Sequence, residues 1–196
     1  MSTTTEFPNW FAVTAQANFE RFLLPLADRR LECLQLGVFT GDASLWIMEN
    51  LPQAHLTDVD PWTGAETIEH FDFAAARQLH FDRMRPYLEP VPRIRRYIGT
   101  SEEYFGAALT ASGRTSRFDF IYIDGDHRAP IVLADAVDSF RHLRPGGLLA
   151  FDDFTWDSGM GELHNPRTAI EAFCAVYAEQ IEVLEVGSQA WIRRTA

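Results

Sequence analysis

Asp124, Asp126 and His127 follow an almost wholly apolar run, Phe118-Asp119-Phe120-Ile121-Tyr122-Ile123, and Asp152-Asp153 follow a second, Leu148-Leu149-Ala150-Phe151. A short apolar run that ends in acids reads as a strand buried on both faces, with its carboxyl end opening into a polar cleft. Two such ends side by side gather four carboxylates and an imidazole. Ligands of open parallel sheets bind outside the carboxyl ends of the strands, so the set is a site candidate. Asp and Gly after strands also serve as turn formers and helix caps. Turns, however, do not call for adjacent carboxylates, which repel each other unless a cation or a donor compensates. An imidazole side chain can serve as a proton acceptor.

The elements that position these residues alternate. Leu31-Glu32-Cys33-Leu34-Gln35-Leu36 reads as a first strand, and Gly37-Val38-Phe39-Thr40-Gly41-Asp42 as a turn into a helix over 43–50. Strand, glycine turn and helix form the entry of a nucleotide-binding unit. Phe39 and Asp42 stand where a dinucleotide fingerprint would have glycine. An acid there also places negative charge where a pyrophosphate needs bare N–H groups. A nicotinamide dehydrogenase is disfavoured, and a nucleoside cofactor with a cationic end and no phosphates fits better. A second strand over 54–60 ends in Asp60, about 20 residues on, the spacing at which an acid binds ribose hydroxyls; capping the next helix is its alternative role.

Residues 63–88 read as polar and helical, with no metal spacing among the histidines. A strand over 93–98 carries Arg93, Arg95 and Arg96 on a solvated face, and Thr100 or Ser101 caps the following helix. Leu133, Ala136, Val137 and Phe140 recur at helical spacing and predict a buried stripe, stopped by Arg144-Pro145-Gly146-Gly147. Residues 154–166 are too irregular for an element and suit a lid or a substrate wall, with Trp62, Trp156 and His164 as wall candidates. A helix over 168–178 and a hairpin over 181–194 close the chain. The expectation is an α/β, Rossmann-like sheet of seven strands, mostly parallel, with an antiparallel C-terminal hairpin and helices on both faces. It forms one domain over 1–196, and residues 1–30 are a helical extension packed on the core.

The chain has 196 residues, enough for a substantial core, with 46% hydrophobic and 23% charged residues. Its net charge of −11 argues against nucleic acid, which needs a cationic surface, and leaves a small molecule as the expected substrate. Cys33 and Cys174 lie in apolar patterns and suit a reducing compartment. No apolar run approaches the ~20 residues that span a bilayer, and the first residues lack a basic start and an apolar core. A cytoplasmic protein without a membrane partner is expected. The aromatics of the N-terminal helix offer a surface through which a homodimer could form.

The alternation, the Leu-Gly-x-Phe-x-Gly-Asp turn, the Ile-Asp-Gly-Asp-His strand end, the Leu-Arg-Pro-Gly-Gly turn and the Asp-Asp pair together resemble class I S-adenosylmethionine-dependent methyltransferases. Within that family they are similar to the metal-dependent O-methyltransferases of the macrocin O-methyltransferase type. The resemblance covers nearly the whole chain. It implies that Gly37, Phe39 and Gly41 face the methionine part of the cofactor, Asp60 the ribose and Ser101 the adenine side. Gln35 stands near the cofactor's amino end, where the family commonly has Glu. Asp124, Asp152 and Asp153 become ligands of a divalent cation, magnesium by preference, since hard cations prefer oxygen, and Asp124 also borders the cofactor. Asp126, ahead of His127, would accept the proton of a small-molecule hydroxyl as it is methylated. A metal-independent methyltransferase on another acceptor and a catalytically silent cofactor-binding subunit are the alternatives.

Overall fold

The computed structural model describes residues 7–64, 71–112 and 117–196. Strands β1 (Glu32–Leu36), β2 (His55–Asp60), β3 (Ile94–Ile98), β4 (Phe118–Ile123), β5 (Leu143–Phe151), β6 (Ile181–Val186) and β7 (Ala190–Arg194) form a single sheet in the order β3-β2-β1-β4-β5-β7-β6. The first five are parallel, and β7 joins β5 and β6 antiparallel. Seven strands with an antiparallel closing hairpin make the Rossmann-like architecture expected. The order reverses between β1 and β4, so the crevice of such a sheet opens there, at the ends carrying the glycine turn and Asp124.

Side chains along a strand alternate between faces, and both faces here are apolar. Phe120 and Tyr122 of β4 pack into one cluster with Phe19 and Leu23 of α2 (Gln16–Leu23) and Trp46 and Ile47 of α3 (Asp42–Asn50). Ile121 and Ile123 enter the other, with Phe105 of α5 (Ser101–Ser112), Phe140 of α6 (Ala129–His142) and Phe173 of α7 (Pro166–Val176). The N-terminal helices, α1 (Trp10–Thr14) and α2, therefore cover a sheet face: Phe19 is wholly buried, edge-on to Trp46, Phe120, Tyr122 and Trp191.

Four local expectations change. The buried stripe of α6 runs through Ala129, Val132, Ala136 and Phe140, while Leu133 is exposed. The stripe is turned by one residue because Val132 faces the β4 and β5 strand ends. Arg144-Pro145-Gly146-Gly147 does not separate helix from strand. β5 starts at Leu143, which pairs with Phe118, and the next pair is Phe120 with Leu148, so these four residues arch out of the ladder. Of the three arginines expected on a solvated face, Arg95 is exposed, whereas Arg93, just before β3, and Arg96 are engaged. Arg93 donates to the carbonyls of Met48, Leu51 and Pro52, closing the end of α3. Arg96 lies over the Phe81 ring at 4.2 Å, and burial lowers its pKa. Within 154–166 a short 3-10 turn forms at Glu162–His164. The helix expected across 63–88 is α4 (Phe73–Met84), followed by a 3-10 turn, Arg85–Tyr87; residues 65–70, with His70, lie outside the described part.

Candidate active site

The turn after β1 is built from left-handed residues: Gly37 (φ 81°), Phe39 (φ 52°) and Gly41 (φ 79°). Glycine is needed at two of them for space as well as conformation. A Cβ on Gly37 would lie 2.0 Å from the Asp124 carbonyl oxygen, and one on Gly41 would lie 2.4 Å from His80 Nδ1. Phe39 adopts a conformation that costs a non-glycine residue about 1–2 kcal/mol. It is held by packing against Phe7, Trp10, Phe71 and Phe73 and by the Trp62 indole, which donates to its carbonyl at 2.8 Å. Trp62 itself is buried against His80 and walls no open site. Among the described residues, the other non-glycine positive-φ positions are Trp62 after β2 and Asp153 after β5. Backbone strain thus gathers on the carboxyl rim of the sheet, where functional sites tend to store it.

Asp60, at the end of β2, closes the turn from below. Its Oδ2 accepts from Val38 N at 2.7 Å and Phe39 N at 3.0 Å, and its Oδ1 from Trp62 N at 2.6 Å. Burial raises its pKa, and these three N–H groups pull the other way. The carboxylate therefore shapes the turn, and only Oδ1, which accepts a single bond, keeps a second lone pair for a hydroxyl. Gln35 is buried and points beneath the turn. Its Nε2 donates to the Gly37 carbonyl at 2.9 Å, and Ser44 Oγ lies 3.1 Å from its Oε1 and 2.9 Å from Asp58 Oδ2. His80 Nε2 sits 3.3 Å from the same Asp58 oxygen, both side chains being fully buried. Burial pushes Asp58 up to about 8 and His80 down to about 3. Sequence reasoning missed this support. One signal was present: Asp58 shares the strand face of buried Leu56.

Across the switch point, one carboxylate oxygen from each of Asp124, Asp152 and Asp153 lies within 4.8 Å of the others. Burial and then mutual repulsion raise the pKa of Asp124 and Asp152. Asp152 Oδ2 accepts the Tyr122 hydroxyl at 2.6 Å, whereas its Oδ1 is buried with no hydrogen-bond partner. The donor set suits a hard divalent cation: three carboxylates, no sulfur, and one buried Asp152 oxygen without a hydrogen-bond partner.

His127 Nε2 reaches Asp153 Oδ2 at 2.9 Å, and its ring lies 4.3 Å from that of Trp156. Asp126 is turned the other way. It accepts from the backbone N–H and the guanidinium of Arg128. Burial raises its pKa, but the Arg128 bonds and charge outweigh this and hold it low. Ser101 opens α5 with its hydroxyl bonded to Asp135, which burial pushes up to about 7. The cap of that helix is Thr100, in a reciprocal box with Glu103. The structure thus brings Gly37 and Asp124 into contact and unites Asp124, Asp152, Asp153 and His127, while Gln35 and Asp126 are engaged elsewhere. A cavity of about 610 Å³ opens between Arg30, His55, Tyr87 and Arg93, at the amino ends of the strands and away from these groups.

A family model described as a methyltransferase domain matches residues 34–154, from β1 to just past the acid pair. No curated protein gives a significant match. Solved structures share the fold. The O-methyltransferase from Bacillus cereus in complex with SAH has a TM-score of 0.63 at 16% identity, over 97% of this chain and 84% of that one. TomG, the O-methyltransferase from Streptomyces achromogenes involved in tomaymycin synthesis, in complex with SAM, has 0.64 at 15%, over 99% and 93%. The MycE methyltransferase of the mycinamycin pathway, in complex with Mg, SAH and mycinamycin VI, has 0.63 at 17%, over 99% of this chain but 51% of that one.

Proposed function

The chain belongs to the methyltransferase domain family whose model spans residues 34–154, and from that premise we propose that it methylates a hydroxyl of a small molecule, using S-adenosylmethionine and a divalent cation, magnesium by preference. The observation that carries this reading is the van der Waals closeness of Gly37 to the Asp124 backbone. It sets a turn fit for a nucleoside cofactor directly against three carboxylates fit for a cation.

The cofactor supplies an activated methyl group. Gly37, Phe39 and Gly41 would line its methionine part, Asp60 would offer the spare lone pair of Oδ1 to the ribose, and Ser101 and Asp124 would border the remainder. The N–H groups of Val38 and Phe39 are taken by Asp60 and are not offered to a pyrophosphate, and the acids of the turn favour a cationic donor. Gln35 contributes by fixing the Gly37 carbonyl. Asp124, Asp152 and Asp153 would hold the cation, which lowers the pKa of a bound hydroxyl and orients its oxygen. His127 takes the proton in preference to Asp126: its imidazole faces the cluster, whereas the Arg128-bound carboxylate of Asp126 is a weakened base. Asp126 instead braces the turn before α6. The neighbours of the same fold described as O-methyltransferases support oxygen as the acceptor, and the MycE methyltransferase, complexed with Mg and mycinamycin VI, supports a cation.

The test is formation of S-adenosylhomocysteine from S-adenosylmethionine over a panel of phenolic and glycosylated hydroxyl compounds. Turnover should fall after chelation and return with Mg2+. A second reading is favoured by the His127–Asp153 pair, which could serve as a base dyad without metal. Turnover that survives exhaustive chelation would select it.

A further inference from the structure

Tyr122 is the one polar side chain in an otherwise apolar stretch of β4, and its hydroxyl sits in a directed chain of hydrogen bonds. Trp191 Nε1 donates to Gln189 Oε1 at 2.8 Å, and Asn18 Nδ2 donates to the same oxygen at 3.1 Å. Gln189 Nε2 donates to the Tyr122 hydroxyl at 3.3 Å, and that hydroxyl donates to Asp152 Oδ2 at 2.6 Å. An indole N–H can only donate, so Trp191 fixes which end of the Gln189 amide is the oxygen. The amide nitrogen must then face Tyr122. Having accepted from that nitrogen, the hydroxyl directs its proton to Asp152 Oδ2. Gln189, Trp191 and Tyr122 are wholly buried, so no water competes for these bonds. The result is that Asp152 Oδ2 is pinned while Oδ1, buried and without a partner, is left for the cluster.

We propose that Tyr122 is a positioning residue for the cation site: with Gln189 and Trp191 it orients Asp152 so that one oxygen is held by the protein and the other is presented to the metal. The inference rests on the cation reading above. Outer partners of metal-binding carboxylates typically account for 10–100-fold in affinity. The chain also runs to Asn18 on α2, which ties the N-terminal helices to the site.

The experiment is Mn2+ titration of the full chain, followed by electron paramagnetic resonance, without cofactor or acceptor. Tyr122→Phe removes only the hydroxyl. Its Mn2+ dissociation constant should rise about 10-fold or more. The bound-ion spectrum should broaden as the freed carboxylate samples several geometries, a signature that loss of stability alone does not produce. Gln189→Met, which leaves the hydroxyl but frees its direction, acts one bond further out and should give a smaller rise of about 3-fold, below the range of direct outer partners. A Tyr122→Phe protein that binds Mn2+ as the parent does, with an unchanged spectrum, overturns the proposal. Should Tyr122→Phe not fold, Gln189→Met decides: unchanged affinity and spectrum overturn it equally. A parent chain that binds no Mn2+ instead removes the cation reading itself, a result distinct from both.

Discussion

Asp60 and Asp152 both follow parallel strands on the same rim, yet their surroundings are opposite. Asp60 is held by three short backbone N–H bonds, whereas Asp152 accepts the Tyr122 hydroxyl and has two further carboxylates beside it whose repulsion, after burial, raises its pKa. On the β1–β2 side the chain neutralises its own acid, and the acid in return builds the glycine turn. On the β4–β5 side the acids are left in mutual repulsion, which an ion can relieve. The same residue type thus meets different surroundings according to how many backbone donors and how many carboxylates lie beside it.

The sharpest way to break this contrast is Asp152→Asn. Methyl transfer should fall on the order of a thousandfold, the loss of several kcal/mol of positioning and charge stabilisation, read as kcat/KM with Mg2+ present. Retained activity would make Asp152 as structural as Asp60. Next, Asp60→Ala should destabilise the fold by about 3 kcal/mol by orphaning buried N–H groups, measured by denaturant unfolding. An unchanged midpoint would show that the turn holds itself.

Asp58 tests the rule where neither backbone donor nor ion is at hand. Its folded pKa, near 8 and raised by burial, lies above the ordinary 3.8, so its contribution to stability is present at low pH and is lost as pH rises toward 8. His80 runs the other way: held near 3 by burial and by Arg96 and Arg83, it contributes above 6.5 and loses that contribution as pH falls. The two oppose each other below 6.5. Between pH 6.5 and 8 Asp58 alone remains, and stability should drop by roughly 2 kcal/mol. Asp58→Asn should flatten that slope in unfolding curves. The smallest effect has the opposite sign to Asp60→Ala: in metal-free protein Asp152→Asn should raise stability by about 1 kcal/mol, because it removes repulsion and keeps an acceptor for Tyr122. A loss of stability there would mean that the cluster is already compensated.

Much of the fold was legible because burial on both faces leaves unbroken apolar strands and the glycine turn breaks them sharply. Leu148-Leu149-Ala150-Phe151 and Phe118-Asp119-Phe120-Ile121-Tyr122-Ile123 announce themselves by composition. The phase of α6 was less legible, since Leu133 and Val132 are equally apolar and only packing chooses between them. Arg93 and Arg96 read as solvated because a guanidinium's stem and head can be buried separately, which spacing does not show.

The chain by itself determined that acids stand at the ends of buried strands and that a glycine turn precedes a helix, since both follow from local pattern. Which acid is satisfied, that Gly37 touches Asp124, that Arg128 disarms Asp126 and that Tyr122 aims Asp152 were decided only in three dimensions. A hydrogen bond depends on which groups meet across the sheet, and residues 67 to 171 positions apart, such as Tyr122 with Gln189 and Asn18 with Gln189, carry no mutual signature in sequence.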